Sequence, residues 1–298
     1  MSNTLVSVVI ATYNRRADLV EAIESTLNQS HPNVEIVVVS NSDDGTSELF
    51  GEGARFDRPE ITYVHDKERM GVAKARNVGY REASGDIVVT IDDDAQFQHE
   101  NVLEAVISAF EADQDLGIVA FRIENAQTGE VETLPRRRKN RSPEESFKAC
   151  YFVGAGNAIR SSVFREVGHY PHSFRYGAEE LDLAYRALDA GFTIRYLPAA
   201  SVVHKESPAG RFTDSTVRQY LVENRLRFVV RNLPWRYAIP YMTVWTLYGL
   251  YLSKLDPRPT IRAYQNFLSE RRELREQRTV ISDETIRYLK RYSGRLLY

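Results

Sequence analysis

One cysteine stands in 298 residues. Cys150 has no partner for an intramolecular disulfide, so nothing covalent staples the fold, and a lone thiol fits a reducing compartment. Zinc chemistry is excluded on similar grounds: one cysteine and six scattered histidines supply no clustered ligand spacing. Met1-Ser2-Asn3-Thr4-Leu5 has no charged leader and no apolar core behind it, which predicts a chain without a secretory signal. There are no internal repeats and no long hydrophobic run. Tyr237–Ser253 is free of charge for 17 residues, short of the roughly 20 apolar residues a spanning helix needs. It also carries Pro240, Gly249, four tyrosines and a tryptophan. Aromatics of that kind favour the headgroup layer, so the segment predicts a helix lying in a membrane interface, although a buried helix has the same pattern.

What is present begins with a charge asymmetry. The net charge of −2 conceals a front half, residues 1–204, with 21 Lys and Arg against 32 Asp and Glu. Residues 205–298 hold 18 against 9. An acidic front suits a metal site, and a basic rear suits an anionic surface. No nucleic-acid-binding motif accompanies the basic region, so membrane lipid is the expected partner and nucleic acid is not.

Hydrophobic patterning predicts strands at Leu5–Ala11, Glu35–Ser40, Ile61–His65, Ile87–Ile91, Gly117–Ile123 and Thr193–Leu197. Helices are predicted at Arg16–Asn28, Val72–Glu82, Val102–Glu111, Glu179–Ala190 and Val217–Asn232, and the last 45 residues read as charged amphipathic helix, packed on the core or on lipid. Strands alternating with helices predict an α/β domain with a mainly parallel sheet covered on both faces. A domain over 1–212 and a helical, membrane-facing region over 213–298 are the expected units. Residues 124–147 read as a long polar loop holding the basic run Arg136–Arg141. Such loops are often functional, though a solvated charge run has the same composition. Val153–Arg160 carries two glycines where close backbone approach is expected.

The strongest chemical signal is Val88-Val89-Thr90-Ile91-Asp92-Asp93-Asp94, a buried strand running into three carboxylates. Ligands of open α/β sheets bind at that end of a strand. Adjacent carboxylates repel, and a hard cation such as Mg²⁺ or Mn²⁺ relieves the repulsion. Alone, the run also fits an acidic turn.

Read in order with Ser7–Arg15, Gly71–Gly79, Glu179–Arg186 and His204, the run resembles the inverting family 2 glycosyltransferases of GT-A fold. The match covers residues 5 to about 205. Glu223-Asn224-Arg225-Leu226-Arg227-Phe228 is similar to a stretch of non-processive members. The resemblance implies that Thr12, Tyr13, Asn14 and Arg15 lie against the nucleotide. Asn41 falls in the turn where many members place a base-reading aspartate, and here that turn is shorter and less acidic. Gly71 and Arg76 belong to the helix start expected near the donor anion. Asp92 and Asp94 match the Asp-x-Asp motif, Asp92 towards the ribose and Asp94 towards a Mg²⁺ or Mn²⁺ ion, with Asp93 beside them and His204 near the metal or pyrophosphate. The catalytic base falls on Glu180, where the family usually has aspartate, with Glu179 and Asp182 as alternatives.

The implied activity is transfer of one sugar from a nucleotide diphosphate sugar to a hydroxyl of a lipid-linked glycan. The expected place is the inner, cytoplasmic face of the cell membrane. A polyprenyl-phosphate sugar synthase, which needs no base, and a non-catalytic nucleotide- or glycan-binding module of the same fold are the competing readings.

Overall fold

A computed structural model describes residues 3–68, 70–135, 142–207 and 213–297. Its first strand, β1 (Val6–Thr12), is buried almost end to end, as an interior strand of a parallel sheet must be. Val6, Val8 and Ile10 enter one apolar layer and Val9 the other, which is the two-residue alternation of a strand. The next elements are α1 (Arg16–Leu27), β2 (Val34–Ser40), a 3₁₀ turn at Thr46–Leu49, β3 (Ile61–His65), α2 (Val72–Glu82) and β4 (Ile87–Asp92). They are followed by β5 (Ala95–Phe97), α3 (Val102–Ala112), β6 (Leu116–Asn125), β7 (Phe147–Ala149), β8 (Gly156–Arg160), α4 (Ser161–Val167), α5 (Glu179–Asp189) and β9 (Thr193–His204). The helical remainder is α6 (Asp214–Asn232), α7 (Trp235–Leu252), α8 (Arg258–Ser269), α9 (Arg271–Glu276) and α10 (Asp283–Arg291).

The strands form one sheet in the order β3-β2-β1-β4-β8-β6-β9-β5, with β7 also on β9. Pairs β1–β2, β2–β3, β1–β4 and β6–β9 are parallel; β8 runs against both neighbours, and β5 and β7 run against β9. Leu19, Ala22 and Ile23 of α1 and the buried stripe of α3 cover one face. Helices α2, α4 and α5 cover the other, and α6 to α10 continue the same apolar cluster. The chain leaves β1 towards β2 on one side and returns through β4 on the other. A crevice therefore opens beyond the carboxyl ends of β1 and β4, the usual ligand position in such sheets.

Three expectations are refined. The final strand extends past Leu197 to His204, with a register shift between Phe121↔Leu197 and Arg122↔Ser201 that loops out the Pro198 region. Proline has no N–H for the ladder, so the strand is interrupted without ending. The helical last 45 residues divide into three helices, α8, α9 and α10. Between α9 and α10 the chain turns back so that the Thr279 and Ile281 amides donate to the Arg231 and Asn232 carbonyls at the end of α6. Those carbonyls lack intrahelical partners. Of residues 124–147, Glu124 and Asn125 complete β6 and Val131 bridges back to Glu124; Arg136–Arg141 lie outside the described residues. Among the described residues, no helix is long and apolar enough to cross a membrane.

Candidate active site

Register brings the acidic run and the end of β1 together. Ala11 pairs with Asp92 across β1–β4, which sets Thr12 and Arg15 beside the next two aspartates. The Thr12 hydroxyl donates to Asp93 at 2.8 Å, and the Arg15 guanidinium donates to Asp93 at 2.7 Å and lies 3.2 Å from Asp94. The cation answers the repulsion that sequence alone left open. Burial pushes the Asp93 carboxyl up to about 6 against the pull of Arg15 and Thr12. Burial acts on Asp94 in the same sense, but His204, Arg15 and the Ser207 amide together hold it below the ordinary carboxylate value.

His204 arrives from the far side of the sheet, paired with Ala95 in the β5–β9 ladder. Its Nε2 is 3.3 Å from Asp94 Oδ1 and its Nδ1 is 3.1 Å from Glu132. Burial favours the neutral imidazole, yet Asp94, Asp92 and Glu132 outweigh it and raise the ring to about 9. The carboxylates thus draw positive charge to this position, as a proton on the ring or as a cation that replaces it. Asp92, Asp94 and His204 each offer a ligand atom, all within 4.8 Å of one another, and Glu132, His204 and Glu206 form a second such group. Asp94 Oδ1 is buried and faces only His204 Nε2, at 3.3 Å and without a well-formed hydrogen bond among the described residues. A buried carboxylate oxygen so weakly met has room for a better partner. With a second carboxylate and an imidazole beside it, the donor set fits a hard divalent ion such as Mg²⁺ or Mn²⁺.

Arg76, projecting from α2, joins this centre to the start of α5. It donates to Asp92 at 2.6 Å and to Glu180 at 3.0 Å. Arg76 is buried; its two anions hold the guanidinium charged despite the cost of desolvation. Gly154 leaves room for the pair, since a Cβ there would overlap Arg76 Nη1 and Glu180 Oε1. This is one of the close approaches that the glycines of Val153–Arg160 foretold. Glu179 is buried with Oε2 unpartnered. Burial and the neighbouring Glu180 push its carboxyl up to about 8. Asp182 faces α6 instead: it is fully buried and receives hydrogen bonds from Arg186 at 2.8 Å, Arg231 at 3.0 Å and Asn232 at 2.7 Å. That carboxylate fastens α5 to α6.

The expected nucleotide residues line the crevice in different ways. Tyr13 is half-buried on the β1 loop. Asn14, with φ of 53°, exchanges hydrogen bonds with Asp43: its amide nitrogen donates at 2.7 Å, and its oxygen accepts from the Asp43 N–H at 2.9 Å. The loops after β1 and β2 are thereby clamped together. Asn41 does not point a bare amide into the crevice; it donates to the Asp66 and Glu68 carbonyls and accepts from the Met70 N–H. Its role is to shape the segment leading to α2. Gly71 starts that helix against the Arg175 backbone, where a Cβ would come within 2.7 Å of the carbonyl oxygen.

Sequence reasoning missed Glu132, Ser207 and the function of Asn224. Glu132 sits in the polar loop with no motif around it, and Ser207 contributes a backbone amide, which no side-chain pattern reveals. Asn224 is buried in α6 and donates to the Tyr176 and Gly177 carbonyls at 2.8 and 2.9 Å. It holds the turn in which Ala178 takes φ of 74° and launches α5. A non-glycine residue there costs about 1–2 kcal/mol, which the asparagine offsets.

Comparison with known proteins gives the family and the fold. The family model "Glycosyl transferase family 2" matches residues 7–168, more than half of the chain. Glycosyltransferase AglE of Haloferax volcanii is 28% identical over 227 residues, covering 73% of each chain. A mannosyltransferase from Pyrobaculum calidifontis, solved with GDP-Man and Mn²⁺, superposes with a TM-score of 0.58 at 20% identity, over 91% of this chain and 76% of that one. GalNAc-T7, solved with UDP, GalNAc and Mn²⁺, gives 0.67 at 17% identity, over 89% of this chain and 54% of that one. The fold is that of GT-A glycosyltransferases, and the chain belongs to glycosyl transferase family 2.

Proposed function

We propose that the protein is an inverting, metal-dependent glycosyltransferase. It moves one sugar from a nucleotide diphosphate sugar to a hydroxyl of a lipid-linked glycan, in the assembly of cell-surface or glycoprotein glycans. The observation that carries this reading is the meeting of Asp92, buried Asp94 and His204 beside the Arg76–Glu180 pair. The nucleotide complexes of the two solved neighbours support a donor of this class.

Asp92, Asp94 and His204 would hold the divalent ion, which would supply positive charge for a departing diphosphate. The chain's own residues do the rest. Thr12–Arg15, with the Asn14–Asp43 clamp, form the nucleotide wall. Glu180 accepts the proton of the acceptor hydroxyl as its oxygen bonds to the anomeric carbon and the sugar–diphosphate bond breaks, the electron pair leaving with the diphosphate. Arg76 holds the Glu180 carboxylate in place through its hydrogen bond. Attack from the face opposite the leaving group inverts the anomeric centre.

Membrane docking at the inner face of the cell membrane is part of the proposal. Ile239, Leu247 and Tyr251 of α7, Leu255 after it, and Ile261 and Leu268 of α8 are all at least half exposed. Lys254, Arg258 and Arg262 are exposed among them. Apolar side chains rimmed by cations match an anionic lipid surface. In this reading residues 1–212 form the catalytic unit and 213–298 the membrane-facing one.

The test is nucleotide diphosphate release from UDP-, GDP- and dTDP-sugars with Mn²⁺, Mg²⁺ or EDTA, with and without extracted membrane lipid, followed by the anomeric configuration of the product. Metal-dependent, lipid-stimulated release with an inverted product is the expected result. Retention of configuration, or no release by folded protein from any of these donors under any condition, contradicts the proposal. Full turnover by Glu180→Gln would favour a phosphate acceptor that needs no base.

A further inference from the structure

Arg225 is a buried cation without a counter-ion. Its residue exposure is 9%, and its Nε has no hydrogen-bond partner. Among the described residues the guanidinium makes no hydrogen bond and no ion pair; its close contact is the Trp245 ring, with the centroid 4.5 Å away. None of the residues outside the described set has an acidic side chain. Arg227, the other buried arginine among the described residues of the helical region, is by contrast paired with Glu223 at 2.5 Å and Glu270 at 2.7 Å. An unpaired charge of this kind lowers stability unless something it binds completes it.

Its surroundings suit an anion. The Trp245 indole N–H and the Tyr241 hydroxyl are also buried without partners, and the two rings stack at 6.2 Å. Glu179, the acid whose field reaches Arg225, forms no hydrogen bond with it: Glu179 Oε2 and Arg225 Nε are each buried without a partner among the described residues. Sequence and packing place the cluster behind the turn that launches α5, the helix of the candidate base. Arg225 follows Asn224, which grips the turn before Glu179 and Glu180, and Leu221, one turn earlier on the same face of α6, lies against Gly177. On α7, Met242 and Thr246 flank Trp245 and line a largely apolar groove of about 360 Å³ with Ile239, Leu247 and Tyr264.

We propose that Arg225, stacked on Trp245, is the recognition cation for a phosphate ester carried by the acceptor, whose hydrocarbon chain runs along the α7–α8 groove. The inference rests on the reading that the acceptor is lipid-linked, and it names the headgroup chemistry and the residue that reads it. A guanidinium presents two parallel donors to a phosphate, a geometry an ammonium does not reproduce.

The chain has two tryptophans, so in a Trp235→Phe background Trp245 is the sole emitter. Farnesyl phosphate, farnesol and inorganic phosphate are titrated against its fluorescence. Farnesyl phosphate should change the emission saturably, with farnesol and inorganic phosphate each binding at least tenfold more weakly. Arg225→Met, which keeps the stem over the ring, should weaken farnesyl phosphate at least tenfold and unfold at the same or a higher temperature than the parent. Arg225→Lys should fall between the two in affinity. Unchanged affinity in Arg225→Met, or farnesol or inorganic phosphate binding as tightly as farnesyl phosphate, overturns the proposal. So does a lowered unfolding temperature in Arg225→Met, since the guanidinium would then be a structural member. Donor turnover by the parent protein is measured separately, so an inactive donor site is recognised without disturbing the titration.

Discussion

Arg76 lies 3.0 Å from Glu180 and carries that carboxylate's link to the aspartate motif through a second bond to Asp92. The base and the donor site therefore share one side chain. Gly154→Ala removes no reacting group but puts a methyl where Arg76 and Glu180 meet, so that one or both must shift. We expect a fall in kcat of about tenfold to a hundredfold, the scale of a mispositioned catalytic group, with the fold retained by circular dichroism. Arg76→Gln should do the same and also lose about 1.5–3 kcal/mol of stability in urea, for charged hydrogen bonds broken in a buried setting.

Asn224 acts on catalysis through the turn it holds. Asn224→Ala frees the Tyr176 and Gly177 carbonyls and relaxes the left-handed Ala178. The expected signature is a lower kcat with the donor KM little changed, read from initial rates. A donor KM that rises with kcat unchanged would assign the turn to donor binding instead.

Two carboxyls of α5 give opposite pH dependences. Asp182 is held below its ordinary value: burial opposes ionisation, but Arg186, Arg231 and Asn232 outweigh it. Its contribution is present above the unfolded value of about 4 and is lost as pH falls through the lower folded value. Asp182→Asn should therefore cost about 3 kcal/mol at neutral pH, and the gap to the parent should close in acid. Glu179 is raised from 4.5 to about 8. The folded state then binds the extra proton, so this group makes stability fall as pH rises across that interval. Glu179→Gln should flatten the fall, seen as urea midpoints above those of the parent at pH 8 to 9 and equal to them in mild acid.

Membrane docking is predicted to need both apolar and basic side chains of the α7–α8 face. Leu247→Asp and Tyr251→Asp should each weaken flotation with anionic vesicles about tenfold or more, given about 1.5–3 kcal/mol per buried large side chain. Raising salt should release the parent from anionic vesicles. Equal flotation by parent and variants would remove this face from membrane binding.

The sequence was legible where a single element carried its own signal. β3 and α2 fall on the predicted residues, and the other early elements fall within one residue, because continuous apolar runs and helical spacing are local properties. β5 was not legible: three residues form a strand only because Val202–His204 lie alongside. The acidic run was visible because Asp92–Asp94 follow an apolar strand, and His204 entered through the family resemblance. Glu132 and the gripping role of Asn224 were not visible, since each depends on chain returning from 25 or more residues away. The Arg76–Glu180 pair joins residues 104 apart, and spacing could nominate each but not their contact.

The central claim is that Asp94 and a divalent ion form the donor site while Glu180 serves the acceptor. The most direct measurement is nucleotide diphosphate release by the parent, Asp94→Asn and Glu180→Gln, each with Mn²⁺ and with EDTA, in the presence of membrane lipid. The account predicts metal-dependent release by the parent, none by Asp94→Asn, and at least a hundredfold slower release by Glu180→Gln with donor binding preserved. Release by Asp94→Asn at the parental rate, or release by the parent in EDTA equal to that in Mn²⁺, would contradict it.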